Sequence, residues 1–171
     1  AFRPIDVKVG PDGAIYIADW YNPIIQHGEV DFRDPRRDHT RGRIWRVTAK
    51  DRPLVTRPKL VGASTEELLE ALKAPEDWTR QQAKRVLKER GASVVLSSLP
   101  NWIKSPNPQD PEFEHQRLEG LWTYQTLDVV EPNLLAELLR SKDARVRAAA
   151  IRIVPWWKDR LSDPLALLPP G

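Results

Sequence analysis

The first fifty residues alternate apolar and polar positions with the period of a β-strand. Apolar residues occupy every second position in 5–9 (IDVKV) and again in 14–19 (AIYIAD), and the GPDG sequence between these runs is typical of a tight turn. A third alternating run, GRIWRV, covers 42–47. We therefore predict a β-hairpin and a third strand, separated by a long segment, 20–41, that has neither a helical nor a strand period.

Three strands with one apolar face are too few for an independent sheet domain, because another layer must cover that face. We expect these strands to be a piece of a larger β structure. The segment 51–63 contains two prolines and shows no period, so it is interpreted as an extended linker.

From residue 64 onward the apolar positions recur with a helical period. Ser64 and Glu67 form the capping-box pattern that begins a helix, and leucines follow at helical spacing. Pro155 is expected to end or kink the last helix, and the pair Asp163 and Pro164 to begin a further one. Helical segments are predicted in three pairs: 65–74 with 78–90, 92–104 with 112–128, and 132–141 with 144–161.

The first and third helix pairs share a sequence pattern at an offset of 67 residues, which corresponds to two repeats of about 33 residues. In the middle pair, Arg117 is likewise followed three residues later by a small residue, Gly120. Small residues allow helices to approach closely, so we predict an α-solenoid of about three helix pairs with a truncated fourth. We expect its arginines to pair with neighbouring repeats. The aligned positions include Leu68 with Leu135, Leu72 with Leu139, Arg80 with Arg147 and Ala83 with Ala150.

Composition narrows the classes of protein. Lys and Arg number 27 against 24 Asp and Glu in 171 residues, and no apolar run is long enough to cross a bilayer, so a soluble chain without a transmembrane segment is expected. The absence of cysteine excludes disulfides, thiolate metal sites and covalent haem attachment within these residues. With neither a methionine nor a signal-peptide core, the sequence is interpreted as a piece of a longer protein.

Candidate chemistry concentrates in the long segment, above all in RDPRRDHTRGRIWRV at 33–47. Its histidines have the properties of general bases or metal ligands that nearby aspartates orient. Alternatively, the aspartates pair with the arginines and only hold the segment in shape. Interleaved aspartates argue against nucleic-acid binding, and their spacing argues against a calcium loop, so no metal site is predicted. The candidates are Asp19, His27 and His39 for catalysis and Tyr21, Asn22 and Arg37 for substrate binding.

Three stretches together resemble a known family: RPIDVKVGPDGAIYIADWYNP at 3–23, RDPRRDHTRGRIWRV at 33–47, and EDWTRQQAKRVL at 76–87. They are similar to the large membrane-bound dehydrogenases, also called PVC-type haem-binding proteins. In that family a β-propeller related to sugar-dehydrogenase and NHL-like propellers precedes HEAT repeats and a cytochrome-c-like domain. The resemblance implies a terminal propeller blade at 1–50 and HEAT-like repeats at 64–171, within an exported oxidoreductase that is periplasmic or membrane-associated.

The resemblance also implies partners for this chain. These are the rest of its own propeller, a cytochrome-c-like domain, and a possible protein partner on the face of the HEAT repeats. Because no C-x-x-C-H sequence is present, haem c is expected in a separate domain, and the resemblance assigns no cofactor to these residues. The alternative is a non-catalytic protein-binding scaffold built on HEAT repeats. The direction in which the charged residues of 20–41 face distinguishes the two: toward a propeller axis for the enzyme, toward the helices for the scaffold.

Overall fold

Three antiparallel strands and eight α-helices make up the part of the chain that the structure, a computed structural model, describes: residues 2–22, 24, 31 and 33–167. The fold is mixed and mainly helical, with a small sheet near the N-terminus, as the sequence predicts. The chain divides into two compact units, residues 1–58 (the sheet unit) and 59–171 (the helical unit). The division falls within the segment 51–63 that was interpreted as a linker.

The strands of the sheet unit form a meander. β1 (Pro4–Val9), β2 (Ile15–Asp19) and β3 (Arg43–Val47) are hydrogen-bonded in chain order, so each strand pairs with the next along the sequence. The GPDG sequence closes the predicted hairpin: the Gly10 amide donates to the Ala14 carbonyl at 2.8 Å. Gly13 has a φ of 76°, a conformation that favours glycine. The predicted hairpin and third strand are therefore confirmed.

One face of this sheet is apolar and exposed. Side chains that face each other across antiparallel strands lie on the same face, and on this face the register pairs apolar residues with one another up to the end where Asp19 lies opposite Arg43. Val7, Val9 and Val47 are 55%, 57% and 47% exposed. No layer within the described part of the sheet unit covers them. The residues of this apolar face are Val7, Val9, Ile15, Ile17, Trp45 and Val47.

The helical unit begins as predicted. The Glu67 amide donates to the Ser64 hydroxyl at 3.1 Å and the Ser64 amide donates to the Glu67 carboxylate at 2.6 Å, which completes the capping box. The α-helices are α1 (Thr65–Glu70), α2 (Asp77–Arg90), α3 (Ala92–Val95), α4 (Leu99–Lys104), α5 (Phe113–Thr126), α6 (Pro132–Leu138), α7 (Ala144–Ile151) and α8 (Val154–Trp157), with 3₁₀ turns at Ala71–Lys73 and Lys158–Arg160.

Two predicted helices are divided in the structure. The segment 92–104 contains α3 and α4, and the segment 144–161 contains α7, α8 and a 3₁₀ turn. Pro100 and Pro155 each lie in the first turn of the later helix, where a missing backbone N–H costs no intrahelical hydrogen bond. Residues 164–167 form a turn in place of the predicted helix, although the Asp163 carboxylate accepts the amides of Leu165 and Ala166, both at 3.1 Å, as the predicted N-cap would.

Leucines at the repeat positions build the core of the helical unit. Leu68 and Leu135, which the offset of 67 residues aligns, are both fully buried, and so are Ala83 and Ala150. In α5, a β-carbon added to Gly120 would lie 2.5 Å from a side-chain carbon of Ile103 on α4. The prediction that a small residue at 120 permits close helix approach is therefore confirmed.

Candidate functional site

Asp19, the last residue of β2, forms hydrogen bonds with the residue before β1 and with β3 at one end of the sheet. Its side chain is buried; one carboxylate oxygen accepts the Arg3 amide at 2.6 Å, and the other accepts the Trp45 indole N–H at 2.8 Å. The Arg43 guanidinium lies 3.0 Å from the second oxygen. Above all the Arg3 amide, then Trp45 and Arg43, hold the pKa of the Asp19 carboxyl below its usual range. Asp19 is thus a poor proton acceptor, and its contacts favour a structural role.

The two candidate residues after Asp19 are held by the same end of the sheet. The Arg43 guanidinium lies over the Tyr21 ring, 4.4 Å from its centroid, and Tyr21 is 39% exposed. The Asn22 carbonyl accepts the Arg3 guanidinium at 2.6 Å. The Asn22 side-chain amide lies 3.5 Å from the Asp38 carbonyl. Tyr21 and Asn22 therefore lie near each other, with the Tyr21 ring partly open to solvent.

Four charged residues of the described part of 31–41, Asp34, Arg36, Arg37 and Asp38, make side-chain contacts within their own segment. Asp34 forms two hydrogen bonds with the Arg36 guanidinium, at 3.0 and 2.8 Å, which hold the pKa of Asp34 at about 2. The buried Arg37 donates to the Asp31 carbonyl at 2.9 Å. The Asp38 carboxylate accepts the Thr40 amide and hydroxyl, both at 3.0 Å. These contacts favour the structural interpretation of the aspartates.

Of the two histidine candidates, the structure describes His39, which is exposed. His27 lies outside the described residues, so its catalytic assignment stays a prediction, as does that of His39. Arg37 is directed to the backbone of its own segment rather than to an open surface.

Sequence reasoning missed Asp12, the acidic residue of the GPDG turn. Asp12 is 3% exposed, and its carboxylate accepts the Ala14 amide at 3.1 Å and the Tyr16 hydroxyl at 3.0 Å. Arg46 donates two further bonds to it, at 3.1 and 2.5 Å. Burial acts to raise the pKa of Asp12, but these hydrogen bonds outweigh it and lower the pKa to about 2. The alternation of the strands could have indicated this cluster, because Tyr16 and Arg46 lie opposite each other in the register and both side chains reach Asp12.

Acid is expected to weaken the sheet unit through Asp12. Its pKa in the folded chain is about 2 and its ordinary value is 3.8, so its stabilisation is complete above about pH 4 and is lost as the pH falls through about 2. We expect Asp12→Asn to be less stable than the wild type near neutral pH and equal to it below about pH 2. The folded-state NMR cross-peak of the Ala14 amide, which donates to the Asp12 carboxylate, measures this when its intensity is followed in both proteins during acidification.

The matched control is Asp51→Asn. Asp51 is exposed and has a φ of 61°, which asparagine adopts readily, so this variant should keep the wild-type acid profile. If Asp12→Asn and the wild type instead differed by the same amount at every pH, the assigned role of the Asp12 carboxylate would be wrong.

A second buried carboxylate, Glu119 of α5, joins two helices of the helical unit. Glu119 is 1% exposed, and its carboxylate accepts the Arg80 guanidinium at 3.0 Å and forms an ion pair with the Lys84 ammonium, both from α2. His115 lies one turn before it, with a ring nitrogen 3.5 Å from the carboxylate. A buried charge of this kind requires such partners, so the cluster fixes α2 against α5.

The arginines of the repeat pattern make equivalent hydrogen bonds. Arg80 donates to the carbonyls of the two residues at 74 and 75, at 2.8 and 2.7 Å, and Arg147 donates to those at 141 and 142, at 2.8 and 3.1 Å. The donor and acceptor residues of each Arg147 bond lie 67 positions after those of the corresponding Arg80 bond. Arg117 pairs with Glu137 of α6. The expected pairing with a neighbouring helix pair thus holds for Arg80 and Arg117, whereas Arg147 binds the turn before its own helix.

A cleft of about 560 Å³ lies between α4, α5 and α6; we call it the α4–α6 cleft. Charged residues from α4, α5 and the start of α6 surround it, including Lys104, Arg117 and Glu131. No sequence signal marked this cleft, because its lining residues come from helices whose contacts the local pattern does not specify. Its apolar lining includes Pro100, Ile103, Pro106, Phe113, Tyr124 and Leu134.

The described residues contain no group of three or more histidine, aspartate or glutamate side chains placed to hold a metal ion. None of the helices in the described ranges has the length and apolar character needed to cross a bilayer.

Comparison with known families finds a match for the N-terminal part of this chain. A family model for a domain of unknown function, DUF7133, matches residues 1–51. These residues include all three strands of the sheet unit, and the description of the family names no activity. No curated protein and no solved structure matches the chain.

Proposed function

We propose that the sheet unit is the terminal blade of a β-propeller in a larger oxidoreductase, and that the helical unit is a HEAT-like interaction module attached to it. The observation that carries this proposal is the exposed apolar face of the sheet. Five of the six apolar side chains on this face are 42–57% exposed, which leaves an unused stabilisation of roughly 4–8 kcal/mol for them together. A neighbouring blade is a layer that would cover this face.

The topology of the sheet agrees with a propeller blade. Blades are antiparallel meanders, usually of four strands, that pack face to face around a central channel. The three strands of the sheet unit form such a meander in chain order. In this proposal the fourth strand and the adjacent blade come from outside the described residues.

The helical unit supports the second half of the proposal through its internal repeat. Two helix pairs separated by 67 residues share buried leucines and alanines and the same arginine bonds to the preceding turn. Stacked repeats of this size are typical of α-solenoids, whose extended surfaces bind partners. The cytochrome-c-like domain, the haem c and the export of the protein are proposed from the family resemblance.

Oxidoreductase activity is tested by replacing the two histidines of the long segment. In the full-length protein, we expect a His27→Ala, His39→Ala double variant to reduce electron transfer to an artificial acceptor by about 100-fold, the effect typical of losing a general base. His115→Ala is the matched control, because His115 lies in the helical unit and should not affect turnover. Unchanged turnover in the double variant would remove both histidines from the mechanism.

A non-catalytic protein-binding scaffold is the second candidate function. The hydrogen bonds of the candidate residues favour it. Asp34, Arg37 and Asp38 form hydrogen bonds inside their own segment. Both carboxylate oxygens of Asp19 accept hydrogen bonds within the sheet unit. A scaffold needs no acid or base there. Turnover absent from the wild-type protein as well as from the histidine variant, across a panel of sugars and alcohols, would support the scaffold over the enzyme.

A further inference from the structure

A tyrosine with an unpartnered hydroxyl lies in the wall of the α4–α6 cleft. The Tyr124 side chain is largely buried, at 5% exposure, but its hydroxyl is not a fully buried atom, and it forms no hydrogen bond with any residue in the described part of the chain. Such a hydroxyl can donate to water or to a ligand in the cleft. The Tyr124 ring lines the cleft. Burial, with the nearby Glu131 charge, raises the pKa of Tyr124, so the hydroxyl stays protonated and can donate.

The walls of the cleft carry opposite charges that have no partners of their own. Lys104 at the end of α4 and Glu131 at the start of α6 form no ion pair with residues in the described ranges. By contrast, Arg117 and Glu137 are paired with each other across the same cleft. A ligand that complements the free charges therefore has an acidic group on the α4 side and a basic group on the α6 side.

The apolar lining determines what lies between those two charges. Pro100 and Pro106 contribute rings without backbone N–H groups, and Ile103, Phe113 and Leu134 add aliphatic and aromatic surface. A volume of about 560 Å³ is within the range of sites that take a compact apolar group with a few polar contacts. Among the described lining residues, Tyr124 offers such a group an uncharged hydroxyl donor without a protein partner, which suits a carbonyl oxygen.

We propose that the α4–α6 cleft binds an extended peptide segment of a partner protein, with an aliphatic or proline side chain against the apolar lining and a backbone carbonyl accepting the Tyr124 hydroxyl. An acidic residue on one side of the anchor faces Lys104, and a basic residue on the other faces Glu131. This inference rests on the helical unit being an interaction module, but it requires neither a propeller nor an enzymatic activity.

The test uses the whole chain and a positional-scanning array of fluorescein-labelled pentapeptides with blocked ends. We expect enrichment of leucine, isoleucine or proline at the centre, with an acidic residue at one end and a basic residue at the other. Titration of the best peptide against the ¹⁵N-labelled chain should shift NMR resonances of α4, α5 and α6. Tyr124→Phe removes the hydroxyl alone and should weaken binding about five- to tenfold.

Tyr16→Phe is the matched control, because it removes a tyrosine hydroxyl from the sheet unit and should leave the affinity unchanged. Three results would overturn the proposal: no peptide binding at the cleft, equal affinity for Tyr124→Phe and the wild type, or free leucine shifting the same resonances as strongly as the peptide. The first two results would show that the cleft is not the binding site, and the third would show that its ligand is not a peptide. All are independent of the histidine assay, so they are distinguishable from failure of the proposed oxidoreductase function.

Discussion

Replacing Arg80 with methionine is expected to lower the free energy of unfolding of the helical unit by about 2–3 kcal/mol. Glu119 would stay buried at 1% exposure with Lys84 as its remaining cationic partner from α2, while the methionine preserves most of the side-chain volume. Removing one of two cations from a buried carboxylate destabilises because the charge keeps only part of its compensation. Urea denaturation followed by circular dichroism at 222 nm measures the change, since the signal at about this wavelength reports helix.

The repeat supplies a matched control, Arg147→Met. Arg147 makes the same two bonds to backbone carbonyls as Arg80, but it is exposed and pairs with no buried carboxylate in the described residues. Its replacement should cost about 1 kcal/mol, the usual net value of such hydrogen bonds. Equal losses for the two variants would mean that Glu119 does not depend on Arg80, which would contradict the role assigned to the cluster.

Leu135→Ala is expected to cost about 3–5 kcal/mol, the range found when a fully buried leucine leaves a cavity in a tightly packed core. Leu135 is fully buried in α6, as is its repeat counterpart Leu68 in α1. The same denaturation experiment measures the loss.

Leu165→Ala provides the control for this substitution. Leu165 is 77% exposed, so its truncation should change the stability by less than about 0.5 kcal/mol. A small effect of Leu135→Ala would mean that the repeat leucines do not form a common core.

The sequence was sufficient for features that depend on neighbouring residues. Alternation located all three strands because each strand places its apolar residues on one face. The capping box located the start of α1 because both of its hydrogen bonds are made within four residues. The break in the last helical segment was expected from Pro155, whereas the division of 92–104 was missed, although Pro100 was visible, because a proline in the first turn of a new helix and a proline that kinks an existing one have the same local pattern.

Features that depend on distant residues were not predictable in this way. Glu119 looks like an ordinary surface acid of an amphipathic helix, and its burial follows from cations that α2 contributes 35 and 39 residues earlier in the chain. The environment of Tyr124 was unpredictable for the same reason, because α4 and α6 complete the cleft around it. In the segment 20–41, by contrast, Asp34 and Asp38 bond to residues two positions away, so the structural interpretation was accessible from the sequence.

The most direct test of the account is amide hydrogen exchange of β1, β2 and β3 in the protein purified from its native source, compared with the 171-residue chain alone. If the apolar face of the sheet unit packs against further β structure, the strand amides should exchange at least about tenfold more slowly in the native protein, while the helical unit exchanges equally in both. Equal protection of the strands in the two samples would contradict the account, because it would show that the exposed face has no covering layer.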